Sequence, residues 1–489
     1  MRAGPRRLAL TALAVVASLF AAAGLLPDLA SAHALVSKED LPIPEWLFGW
    51  GASIVLIVSF VGLTVLWREP RYERDDWRAF GRGVSRALVN PVTEAMAGLI
   101  GVGLLALTVW TGLDGTYAPD RNFAITFVFV TFWLGLVLLS VAFGDVFRAF
   151  NPWRAIARAI SAVFARIAGQ RAPAPLPYPE RLGRWPAVIG LLLFAWFELV
   201  WGQSGFNTSG VAPRDLAIAT MIYTAITFAA MALFGIEKWV ANGETFSVYF
   251  RMFSRLAPLD VREGELGRRR MLSGAPGWAA VPGSLGLVMA ALGVTTFDGA
   301  QEGLLKEPIK SLLGTLTDAG LSPLAASRLT NTVFLIACVL VVSGIFLAGI
   351  RGMRTVGDYG STRELTRKFA HAFIPIVLAY LVAHYFSLFL YQEQAQFTFL
   401  LSDPFGDGSD LFGTLGSGIN YGLVSATAVW YVQVAALVIG HVTALVMGHD
   451  RALAVYGDVR TATRSQYWML ALMAIFTTLG LLLLSQSNR

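Results

Sequence analysis

Residues 331–350, NTVFLIACVLVVSGIFLAGI, form a run of 20 residues without a single charge, and the next 18, 351–368, carry five Lys and Arg. A helix rises about 1.5 Å per residue, so such a run covers the roughly 30 Å apolar core of a bilayer. The pattern of mostly apolar run and basic loop recurs along the chain. Ten stretches have it: 46–67, 91–113, 122–144, 185–203, 215–236, 278–297, 331–350, 369–392, 426–448 and 467–486. The sixth, with Pro282 and four glycines between Gly277 and Gly293, is the most interrupted. Composition agrees. The 489 residues are 55% hydrophobic and 14% charged, with a mean hydropathy of +0.60, whereas soluble domains carry about 25% charged residues. The fold class predicted is an all-α polytopic membrane helical bundle of about ten transmembrane helices.

The first 32 residues read as a cleaved signal peptide, with a retained first transmembrane helix as the alternative. Arg2, Arg6 and Arg7 precede an apolar run from Leu8 to Leu26, and Ala30-Ser31-Ala32 is a small-x-small cleavage site. Cleavage makes His33 the mature N-terminus, followed by an external segment over 33–45 and the bundle over 46–489. With that end outside, 28 of the 38 Lys and Arg fall in the loops 68–90, 145–184, 237–277, 351–368 and 449–466, and none falls inside a span. Basic residues concentrate on the cytoplasmic side of membrane proteins, so the tally predicts a cytoplasmic-membrane protein with its mature N-terminus outside. It also explains a pI near 9.5 without nucleic acid, since the basic residues line membrane borders where anionic lipid attracts them. Residues 153–168 alternate arginines with Ile156, Ile160, Val163, Phe164 and Ile167, the pattern of an amphipathic helix lying on lipid. Residues 246–256, FSVYFRMFSRL, read as a second such segment. Glycines spaced by three, such as Gly98 and Gly101, read as close helix packing.

Ionisable groups at membrane depth are costly and mark functional sites. Glu198 lies 13 residues into its span and His384 15 into its own, so both stand roughly 20 Å from the basic side. Gln433, counted from the far end of an antiparallel span, shares that height. Asp298 and Asp114 end their helices just above this layer, with Trp201, Tyr385, Trp430 and Tyr431 close in height. The loop SDPFGDGSDLFG adds Asp403, Asp407 and Asp410. The site predicted is a chamber opening outward in which His384 is base or metal ligand, Glu198 and Asp298 are ligands or orienters, and Asp403 is a lid carboxylate. A carboxylate beside an imidazole orients a general base or holds a divalent metal ion with it. Gln433 reads as an interhelical packing group. Glu94, Asp145, His371 and His449-Asp450 sit at the inner edge, where interfacial placement accounts for them, and His441 reads as a core histidine bonded to a neighbour.

One cysteine, Cys338, excludes an intrachain disulfide and cysteine-based metal centres. A bis-histidine haem needs two helices with imidazoles at equal height, which only His371 and His449 offer, at the rim. A mature chain beginning His33-Ala34 supplies an amine and an imidazole that together chelate Cu(II), so His33 is the candidate ligand of a copper alternative. Asn207-Thr208-Ser209 matches a glycosylation sequon, a short pattern common by chance. No Walker loop, Gly-x-Ser-x-Gly elbow or His-Glu-x-x-His is present.

Several phrases along the chain are distinctive: His33-Ala34-Leu35-Val36, Leu41-Pro42-Ile43-Pro44-Glu45-Trp46-Leu47-Phe48, Phe150-Asn151-Pro152-Trp153-Arg154 and Thr295-Thr296-Phe297-Asp298-Gly299. With them go His371-Ala372-Phe373-Ile374-Pro375, Ala383-His384-Tyr385, Ser402-Asp403-Pro404-Phe405 and Trp430-Tyr431-Val432-Gln433 through Gly440-His441. Together these phrases resemble, over nearly the whole mature chain, bacterial integral membrane proteins labelled fenitrothion hydrolase. The resemblance implies hydrolysis of an aryl phosphorothioate triester with release of a phenol, and brings no established catalytic residues with it. Such apolar small-molecule substrates concentrate in a bilayer. Two other classes suit the same spans: a transporter or permease for copper or a small solute, and a non-catalytic membrane subunit serving a periplasmic or respiratory protein partner.

Overall fold

Several of the long helices start at a side chain able to take over the backbone N–H groups that a first turn leaves unpaired. Asn90 accepts from the amides of Val92 and Thr93, and Pro91 follows it. Asn151 does the same for Arg154, ahead of Pro152, and Ser322 for Ala325, ahead of Pro323. Proline at the first helical position costs nothing there and fixes the backbone for entry. Asn122 and Ser425 cap two further helices.

The computed structural model describes residues 45–487 except 75, 170–174, 203–209, 358 and 359. The signal peptide, the external segment up to residue 44, His33 and the sequon at 207–209 lie outside the described residues. Each of the ten apolar stretches contains a helix. We label the main helices α1 (Glu45–Leu66), α2 (Pro91–Asp114), α3 (Phe123–Phe143), α4 (Pro152–Ala168), α5 (Trp185–Trp201) and α6 (Pro213–Phe234). There follow α7 (Thr245–Ser254), α8 (Ser284–Gln301), α9 (Lys306–Asp318), α10 (Pro323–Arg354), α11 (Ile374–Phe397), α12 (Ala426–Tyr456) and α13 (Val459–Ser487). Among the described residues seven helices are long and apolar enough to cross a membrane, and shorter apolar ones accompany them. The molecule is an all-α, multi-pass membrane bundle. Its outward faces carry large apolar side chains, Val92, Leu99, Leu193 and Leu340 among them. Water would penalise such a belt; lipid does not.

The interrupted sixth stretch, α8, is the central helix. Leu287 through Phe297 are all buried, packed by α5, α10, α11 and α13. Its glycines permit this: a Cβ on Gly293 would stand 2.5 Å from Val339 Cα, so α8 and α10 cross with backbones nearly touching. Gly98 and Gly101 face Ala155 and the Phe150 carbonyl in the same way.

Two sequence expectations change. Residues 246–256 do not lie on the surface: in α7, Val248, Tyr249, Phe250 and Phe253 are fully buried. Glu244 caps the helix and Tyr249 stacks on Trp133, with ring centroids 4.5 Å apart. Its polar residues read as a wet face but are internally bonded. By contrast α4 buries Pro152, Trp153 and Arg154 and leaves Ile160, Val163, Phe164 and Ile167 exposed, an apolar stripe turned to the surroundings. The second difference is a small antiparallel sheet beside the arginine-rich end: β1 (Arg78–Ala79), β2 (Leu259–Arg262) and β3 (Glu265–Arg268), in the order β1-β3-β2. Leu259 pairs with Arg268, and Arg262 with Glu265. The two-residue turn, Glu263-Gly264, takes φ values of 51° and 80°, the left-handed conformation of a tight hairpin.

Candidate functional site

Asp298 stands near the end of the buried helix α8, and its carboxylate is saturated with donors. Tyr385 Oη donates to Oδ2 at 2.5 Å, His384 Nε2 lies 2.8 Å from the same oxygen, and Gln301 Nε2 donates to Oδ1 at 2.9 Å. His384 and Tyr385 are neighbours on α11, their rings meeting edge to face at 4.5 Å. Gln301 lies one helical turn beyond Asp298, the spacing at which side chains on one helix meet. An ionised carboxylate only accepts, so His384 Nε2 carries the proton and Nδ1 keeps a lone pair. That second nitrogen faces Gly299, where an added Cβ would stand 3.6 Å away. The imidazole is oriented on one side and free to take a proton on the other. The His384 and Asp298 side chains keep 22% and 12% of their surface exposed, so the pair is not sealed in the core.

Glu198 lies in a π-helical turn, Phe197–Trp201, at the end of α5. Single π turns displace a helix face and recur at functional sites. Its carboxylate is within electrostatic range of Asp298, Tyr385 and Tyr249. Depth arithmetic placed Glu198, His384 and Gln433 in one layer with Asp298 just above it, and the fold brings Asp298 and His384 into direct contact. Tyr385 was read only as close in height, yet it is a bonded member of the site. Gln301 and Tyr249 were missed, although the Asp298–Gln301 spacing was visible.

Asp403 belongs elsewhere. Its Oδ1 accepts from the Asp407 amide at 3.0 Å and its Oδ2 from the Gly408 amide at 2.9 Å. It shapes its own loop, which is stitched to the α2–α3 connection through Thr116 and Phe405. Asp407 and Asp410 are likewise taken by Ser409 and Ser402. Hydrogen bonds to Ser409 hold the Asp407 carboxyl below the usual carboxylate range. Gln433 is buried on α12. Among the described residues no group of three or more His, Cys, Asp or Glu side chains is arranged to hold a metal ion, so His384, Glu198 and Asp298 do not share the single focus that a three-ligand site needs.

The groups at the arginine-rich end are structural joints. Arg154, almost fully buried, pairs with Glu94 on α2 and with Glu237 at 2.9 Å, and Arg158 repeats both pairings. Asp145 pairs with Arg251 at 2.9 Å. Asp450 accepts from Trp67 Nε1 at 2.8 Å and from the Arg71 and Tyr72 amides at 2.6 and 2.9 Å. His449 Nε2 contacts the Trp67 carbonyl at 3.1 Å. His441 Nδ1 bonds the Leu437 carbonyl of its own helix at 2.8 Å, rather than a neighbouring helix.

No known protein family, curated protein or solved structure matches this chain.

Proposed function

We propose that the Asp298–His384 pair is a general-base dyad that activates water against an apolar ester drawn from the membrane, with phosphotriesters as the substrate class. The observation that carries this reading is the 2.8 Å contact between His384 Nε2 and Asp298 Oδ2 in a partly open position. A carboxylate behind an imidazole fixes its tautomer and steadies the imidazolium that forms. In the reaction, His384 Nδ1 takes a proton from water as the water oxygen bonds to phosphorus. The bond from phosphorus to the aryl oxygen breaks, and the departing aryloxide recovers the proton as a phenol. Tyr385 and Gln301 hold Asp298 in place, and Glu198 stands within electrostatic range of it. The sequence resemblance to membrane proteins labelled fenitrothion hydrolase supplies the substrate class. The lysine and arginine tally supports a bacterial cytoplasmic membrane setting, with the mature N-terminus and the site's open side outside.

The test uses the full chain in lipid nanodiscs with diethyl p-nitrophenyl phosphate, with and without Zn, Mn or Co, and follows nitrophenolate release. Turnover that falls about 10²–10⁴-fold in His384→Ala, the usual range for a lost general base, supports the proposal. Absence of turnover under all metal conditions overturns it, as does turnover indifferent to His384. Solute or copper accumulation in vesicles that is abolished by His384→Ala, without ester cleavage, would assign the site to transport instead.

A further inference from the structure

Helices α2, α3, α5, α6 and α11 line a half-open cavity of about 980 Å³. That is the upper end of the roughly 300–1,000 Å³ usual for sites holding a small molecule. Its wall includes Phe132, Leu139, Phe194, Phe389 and Phe397, and it runs from Trp153 beside the arginine joint to Glu393 near the far end of α11. Most polar side chains on the wall are already engaged. Tyr223 Oη donates to Glu244 at 2.5 Å, and Thr108 to the Leu104 carbonyl at 2.8 Å. Thr131, in the π-helical part of α3, donates to Glu393 Oε2 at 3.1 Å. Glu393 Oε1 is buried with no hydrogen-bond partner. Gly135 keeps the space beside it, since a Cβ there would stand 3.8 Å from Oε1 and 3.6 Å from the Phe389 ring.

We propose that this cavity holds a membrane-soluble alcohol, its apolar body among the phenylalanines and its hydroxyl donating to Glu393 Oε1. A buried acceptor left unpaired is costly, and a donor entering with an apolar body meets that demand. An ammonium would also donate, but stripping water from a cation costs far more than from a hydroxyl, and among the described residues Glu393 is the sole acidic one on the wall. This site is separate from Asp298 and His384 and stands or falls independently of the hydrolytic reading.

The test is photo-crosslinking of the full chain in nanodiscs with three diazirine-bearing probes of equal chain length: hexadecanol, its methyl ether and hexadecylamine. Peptide mapping reads the labelled segment. The expected result is labelling of residues 127–142, 190–197 or 389–397 by the alcohol, at least fivefold above the ether, falling to the ether's level in Glu393→Leu. The wild-type comparison of alcohol with ether needs no variant to fold. Equal labelling by alcohol and ether would reduce the cavity to a groove for lipid tails and overturn the proposal. Stronger labelling by the amine, or none within these segments, would overturn it as well.

Discussion

At the residue scale, the site depends on how Asp298 distributes its two oxygens. Oδ2 takes His384 and Tyr385, Oδ1 takes Gln301, and the imidazole is aimed by subtraction. A hydrogen bond to a charged acceptor is worth about 1.5–3 kcal/mol, so Tyr385→Phe should lower the thermal midpoint in detergent by a few degrees and reduce turnover. Gly299→Ala separates the role of Nδ1 from that of the Asp–His contact. Its methyl would stand 3.6 Å from Nδ1, an ordinary contact the fold can accept, while narrowing the approach of water. The expected outcome is an unchanged midpoint with a lower kcat/KM for the phosphotriester; an unaffected rate would mean that Nδ1 is not the base. Sequence arithmetic reached the height of these residues because a helix converts residue number into depth. It could not give azimuth. Whether Gln433 or Asp298 turns toward His384 depends on helix rotation, which tertiary packing sets.

At the element scale, the legible features were those written in continuous apolar runs and in their caps. The buried α7 was misread because Ser247, Arg251 and Ser254 look solvated until Asn151, Asp145 and the helix's own Arg251 carbonyl are seen to bond them. The short sheet pairs β1 with β3, a strand nearly two hundred residues away in sequence, which no local pattern shows. The joint at Arg154 ties α4 to α2 and to the short helix Ile236–Asn242 that follows α6. Breaking a buried ion pair costs about 3–5 kcal/mol, but Glu94 and Glu237 keep 39% and 52% of their side chains exposed. Arg154→Met is therefore expected to cost about 2 kcal/mol, read as a lower thermal midpoint. Burial alone would raise the Glu237 carboxyl, but Arg154 and Arg158 outweigh it and hold it below its ordinary 4.5. A depressed carboxylate contributes stability that is fully present above the ordinary value and lost as pH falls through the folded one. The midpoint should thus drop as pH is lowered below 4.5, and Arg154→Met should flatten that dependence.

At the scale of the whole molecule, ten apolar stretches became ten helices, although α8 is a core element rather than a lipid-facing span. Its glycines and threonines fit between four other helices where bulky residues would not. Orientation is testable because Cys338 is the sole native cysteine. In a Cys338→Ala background, an impermeant maleimide added to intact cells should label Asp407→Cys at once and Arg86→Cys only after the membrane is breached; the reverse order would invert the topology. The site itself joins two helices, α8 and α11, whose residues are distant in sequence, and the central claim is that Asp298 and His384 act as one unit. A double-mutant cycle measures that directly, by comparing phosphotriester turnover in Asp298→Asn, His384→Gln and the double variant. Groups working as a unit give grossly non-additive losses, so the double variant should be no slower than the worse single one. Losses that multiply would mean that the two side chains act independently, and the dyad would be contradicted.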